Sequence, residues 1–176
     1  MVIFLPRLES NNEEISDGVN LLISLLIRYP EIATIKFDPQ NSCLILKFML
    51  SSLPSELEFS TIKDLLINSI IAYNRLESFP LKTSEVELHT HIQVAMITII
   101  RDVYTLSKNE ITLIITLLED NFKKFLVIDS SDSQQEEDLL IQEEVIENML
   151  DNIKSHQHLH GLLGIRESGR VLVFNK

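Results

Sequence analysis

Four times along this chain a Ser stands three positions ahead of a Glu and leads into apolar residues at helical spacing. The pairs are Ser10 with Glu13, Ser55 with Glu58, Ser107 with Glu110 and Ser133 with Glu136. In a capping box the Ser side chain accepts from the N3 amide while the Glu reaches back to the cap amide, so two donors that the helix leaves orphaned are satisfied together. The stripes that follow include Ile15, Val19, Leu22 and Leu26 after the first box and Ile62, Leu66 and Ile70 after the second. Ile111, Ile114, Ile115 and Leu118 follow the third, and Ile146, Met149, Leu150 and Ile153 the fourth. This grammar predicts four amphipathic helices. Within the third, ITLIITLL is aliphatic nearly all the way round, which calls for a central position or a subunit interface.

Between the first two helices, IATIKFD and SCLILKFML flank DPQN, a turn-forming sequence, and predict a hairpin. Its second strand is apolar on both faces, which suits an interior position. LLGIR and RVLVF predict a terminal hairpin joined by a three-residue bulged loop at Glu167, Ser168 and Gly169. The segment EVELHTHIQVAMITIIRD fits two templates. A fifth Ser–Glu pair, Ser84 with Glu87, and a stripe through Leu88, Ile92, Ala95 and Ile99 suit a helix. Strict alternation and the β-branched second half favour one long strand from about residue 86 to 101. The fold class that follows is α+β: a small mixed or mainly antiparallel sheet, built from two hairpins and a central strand and covered by four helices. Residues 1–176 form one domain of ordinary size, with an acidic loop at 129–134.

The strand reading makes a metal site conceivable. Alternation sends Glu87, His89 and His91 to one side. HQHLHG near the chain's end adds His158 and His160. Zinc and related divalent ions take three or four N, O or S ligands, and neutral imidazole is a common one. A two-residue spacing is weak support, and solvent-facing histidines at a strand end and in a helix-to-strand loop are the plainer reading. No cofactor is expected beyond a divalent metal at that place.

Net charge is −11, and nine acidic residues between positions 125 and 153 face no Lys or Arg in that stretch; removing them leaves −2 for the rest. Such a balance does not suit a phosphate backbone, so nucleic acid is not an expected partner. Glu143, Glu144 and Glu147 are the candidate contact residues of this acidic helix. Arg166 and Arg170 in GLLGIRESGR could meet an anion, although decorating a turn is the plainer role. Arg101 beside Asp102 reads as a charged pair closing a strand. Motifs of nucleophile elbows, zinc proteases, phosphate loops and calcium loops are absent from the sequence. A lone cysteine, Cys43, in an apolar run excludes an internal disulfide and suits a reducing compartment. MVIFLPRL lacks the layout of a secretory signal, and no apolar run reaches the ~20 residues of a membrane span. The expectation is a cytoplasmic, non-catalytic interaction or regulatory domain whose partner is another protein or a second copy. The alternative is a metal-binding protein or metal-dependent enzyme using the histidines.

Overall fold

CLILKFML, apolar on both faces, lies inside a single sheet with a strand on either side. The computed structural model describes residues 2–4, 12–129, 136–155 and 160–175. In chain order the elements are β1 (Val2–Phe4), α1 (Asn12–Arg28), β2 (Thr34–Asp38), β3 (Cys43–Leu50), α2 (Glu56–Leu76), β4 (Ser84–His91), β5 (Val94–Asp102), α3 (Lys108–Phe122), α4 (Glu136–Ser155), β6 (Leu162–Glu167) and β7 (Arg170–Asn175). The seven strands lie in the order β1-β7-β6-β2-β3-β5-β4. Neighbours run antiparallel except β1, which pairs in parallel with β7. The fold is therefore α+β, with both hairpins in one sheet.

The segment from 84 to 102 is a hairpin rather than one long strand. His91 pairs with Val94, and Ile92 turns the chain at a φ of 53°. A β-branched residue is strained there, and hairpin turns usually place Gly, Asn or Asp in that conformation. Because the turn takes two residues, the alternation changes phase across it. Val86 and Leu88 share a face with Ala95, Ile97 and Ile99, whereas Glu87, His89 and His91 share one with Val94, Met96 and Thr98. The terminal hairpin is also tighter than expected. Glu167 pairs with Arg170 across Ser168 (φ 49°) and Gly169 (φ 73°), the positive pair that a type I′ turn requires.

The helices cover one face of the sheet. Ile35, Phe37, Leu44, Leu46, Phe48, Leu50, Ile97 and Ile99 point into it and are buried. Leu22 and Leu26 of α1 come so close to β6 that a Cβ on Gly164 would stand 2.9 Å from the tip of Leu26, which would have to shift to make room. Over the sheet, α1 packs on β6 and β7, α2 packs on β4, and α3 lies between α2 and α4. The aliphatic helix thus holds the central place, burying Ile111, Ile114, Ile115 and Leu118 while Thr112 and Thr116 stay exposed.

The capping boxes differ in outcome. Ser55 and Glu58 form the complete reciprocal pair at α2. At α3, Ser107 accepts from the Glu110 amide, but the Glu110 carboxylate turns into the core. Ser84 starts β4 instead of a helix. Ser10 and Ser133 lie outside the described residues, as does most of the acidic loop.

Glu110 turns inward because Arg101 is buried there. This guanidinium is wholly inaccessible, and all its N–H donors are used. Nε and Nη2 form a two-pronged contact with Glu110 at 2.8 and 3.0 Å. Nη1 donates to Asp102 and to the Thr83 carbonyl at 2.6 and 2.7 Å, and Nη2 also reaches Thr105 at 3.0 Å. Asn74 of α2 donates to Glu110 as well. Burial pulls the Asp102 carboxyl upward, but the Thr83 amide, the Thr105 hydroxyl and Arg101 outweigh it and hold its pKa below the usual range. Removing one partner of such a buried set strands the other charges. Glu110→Ala is expected to lower the free energy of unfolding by ~3 to 5 kcal/mol in urea titrations, against ~1 kcal/mol for the exposed cap change Ser55→Ala.

Candidate functional site

The sheet's outer face is left open by the described helices. Ile45 and Met49 of β3, Met96 and Ile100 of β5, Leu163 and Ile165 of β6, and Leu172 and Phe174 of β7 alternate with the buried positions. Each is only half-buried, and no described helix packs over them. Lys36 stands between Leu163 and Ile45 in one cross-strand row, Asp38 and Lys47 also lie among the apolar positions, and Arg170, Glu85, Glu87 and Glu167 project nearer the edges of the same face, so both signs of charge are interspersed with the apolar side chains. Thr98, between Lys47 and Glu87 in one cross-strand row, is 3% exposed on this same face.

The described histidines occupy separate places. Glu87 and His89 meet at 3.1 Å on the β4 edge, both largely exposed, and His91 stands one alternation further along the same face. His160 lies just ahead of Leu162, which is in register with Phe37, Leu44, Arg101 and Ser84 across the sheet. That row is at the opposite end of β4 from His91 and four strand spacings away, a separation of roughly 20 Å or more. His158 lies outside the described residues. Among the described residues no three His, Cys, Asp or Glu side chains form a group that could hold a metal ion. Cys43 is buried, and burial together with Asp102 and Asp38 pushes its thiol pKa up, away from nucleophilic chemistry.

The acidic helix is less uniform than its sequence. Glu143 accepts from Arg28 at 2.8 Å and from Lys108 at 3.4 Å, tying α4 to the end of α1 and the start of α3. The Arg28 hydrogen bond, which outweighs partial burial, holds its carboxyl below the usual range. Glu144 and Glu147 are exposed, and the acids of this helix thus divide into an internal tie and a solvated side. The cations that meet Glu143 come from distant segments, which no count of charges within 125–153 could reveal.

A cleft opens where the sheet splits. The end of β3 leaves β2 and pairs instead with the chain around Leu126, through Ser51 to Phe125 and Val127 to Met49. Between this segment and the approach to β2 is a cavity of about 330 Å³, lined by Pro30, Ile32, Ala33, Met49, Val127, Ile128, Asp129 and Arg166. Arg166 is 9% exposed, and its Nη2 donates to the carbonyls of Leu26, Tyr29 and Ile32 where α1 ends. Its buried Nε has no hydrogen-bond partner. Asp129 stands 3.9 Å from it, beyond hydrogen-bonding range. Nearby, Glu31 faces Glu119 of α3. Burial, with the hydrogen bond and charge of Glu119 adding to it, raises the Glu31 pKa to about 7, against a lesser downward pull from its own backbone and Arg28.

Comparison with family models, with curated proteins and with solved structures finds no match for this chain. No helix among the described residues is long and apolar enough to cross a membrane.

Two predictions follow from these charges. Glu143→Lys sets a cation against Arg28 and Lys108 and should destabilise the fold by about 1 kcal/mol or somewhat more, while Glu144→Lys stays within about 0.5 kcal/mol; chemical denaturation of each variant separates them. Glu31 keeps a proton in the folded state that the unfolded chain releases near its ordinary value of 4.5, so its contribution to stability falls as pH rises from there to about 7. Glu31→Gln should therefore raise the urea midpoint at about pH 8 and leave it nearly unchanged at about pH 4, and an equal effect at both would refute the assignment.

Proposed function

We propose that this chain is a non-catalytic interaction domain, cytoplasmic and regulatory in role, whose helix-free sheet face packs against a second copy of itself. The single observation that carries this reading is the set of half-buried apolar side chains that β3, β5, β6 and β7 present on the face no described helix covers. Apolar side chains gathered with polar groups on a sheet face that helices leave uncovered suit a contact surface. Six strand spacings of ~4.8 Å, by strands of about six residues at ~3.3 Å, give a projected face on the order of 600 Å². Its corrugation adds accessible area, bringing it near the ~800 Å² per partner of a stable interface.

The charges favour a second copy over a strongly basic or acidic partner. Lys36, Lys47 and Arg170 are accompanied on that face by Asp38, Glu85, Glu87 and Glu167, so a two-fold related copy can set cations of one face against acids of the other. Glu144 and Glu147 project from the helical layer behind the sheet and would remain free for a further, basic partner.

Sedimentation of the full chain should give a dimer at about 100 µM, and Ile100→Lys or Leu163→Lys should give monomers with retained circular dichroism. A wild-type monomer at that concentration would sink the reading. So would a dimer that both substitutions leave intact but that Glu144→Lys with Glu147→Lys dissociates.

A further inference from the structure

We propose that the cleft at the split end of the sheet binds a small aliphatic zwitterion, an α-amino acid of about leucine's size, with its carboxylate on Arg166 and its ammonium on Asp129. The volume of about 330 Å³ falls at the small end of ligand pockets. At ~30 Å³ for each water-sized unit it holds roughly ten non-hydrogen atoms. Pro30, Ile32, Met49, Val127 and Ile128 provide aliphatic walls, and no aromatic ring lines the cavity.

The polar end of the cleft selects the head group. Arg166 is fixed through Nη2 on three carbonyls, while its Nε–H, buried and charge-bearing, has no acceptor. A buried donor left unmade is costly, and a charged one more so. Asp129 is the obvious acceptor, yet it stays at 3.9 Å with its side chain 40% exposed, while its amide is anchored on the Pro30 carbonyl. A simple carboxylate brought to Arg166 would be repelled by Asp129. A simple amine would meet Arg166. A zwitterion lying alongside both, its carboxylate on the guanidinium and its ammonium on a displaced Asp129 carboxylate, makes an alternating ring of charges with contacts of ~2.8 Å, the distance of a charge-assisted hydrogen bond. Binding in this way requires the Asp129 side chain, 40% exposed, to turn from over Nε toward the ammonium as the ligand's carboxylate takes its place.

Isothermal titration of the full wild-type chain with L-leucine, 4-methylpentanoate and 3-methylbutylamine tests this directly. Leucine should bind, and each single-charge analogue should bind at least ~10-fold more weakly, since each lacks one charge-assisted contact. Asp129→Asn, a change at an exposed side chain, should weaken leucine by about 10-fold and strengthen 4-methylpentanoate, reversing their order. A thermal shift should accompany leucine in the wild type and shrink in the variant. No heat and no shift with leucine at about 10 mM would overturn the proposal, as would 4-methylpentanoate binding the wild type as tightly as leucine. Neither outcome depends on whether the sheet face dimerises.

Discussion

A buried guanidinium organises the helical half of this protein. Arg101 sits at the end of β5, and its contacts fix the chain on both sides of it. Glu110 brings the first turn of α3 down to the sheet, Asn74 joins the end of α2 to Glu110, and the Thr83 carbonyl holds the approach to β4. Tyr73 adds a 3.0 Å contact to Ser107 at the α3 cap. Net attraction is not what such a cluster chiefly supplies, because taking one cation and two carboxylates out of water is expensive. What it supplies is position. The set is satisfied only when α2, β4, β5 and α3 are all in place, so a register slip or a helix shift leaves a charge stranded.

The same logic explains what could and could not be read from the sequence. Helix existence was legible because capping and apolar periodicity are local, and α2 shows the full Ser55–Glu58 exchange. Ser107 and Glu110 have the identical spelling, yet Glu110 serves Arg101, nine residues upstream, because a buried charge outweighs an exposed cap amide. The interior place of β3 was legible from its two apolar faces. The hairpin at Ile92 was not, since its turn contains none of the residues that turns favour. That omission reversed the facing of everything past His91 and concealed the outer apolar strip. The three-residue β1 joins the opposite edge by parallel pairing with β7, a contact across nearly the whole chain that no local pattern encodes.

Candidate sites divided along the same line. Whether histidines meet depends on strand order, and the four spacings between β4 and β6 separate His89 and His91 from His160. Glu143 looked like one acid among nine, and its two cations come from α1 and α3. Arg166 was visible as a cation near a glycine turn. Its burial under the end of α1 rests on the carbonyls of Leu26, Tyr29 and Ile32, contacts across most of the chain that no local pattern announces.

These placements give the molecule two chemically different sides. The helical side is tied internally and carries its free acids outward, where like charge resists self-association. The sheet side mixes cations with acids around half-buried aliphatic side chains. The cleft lies at the margin of that second side: Met49 belongs both to the apolar strip and to the cavity wall, and Val127 continues the strip where β2 leaves β3. A molecule lodged there would touch the strip's edge while its head group engaged the arginine that caps α1. Sheet face and helix terminus would then answer to one small occupant, and contacts of that kind give an interaction surface a means of being adjusted by a ligand.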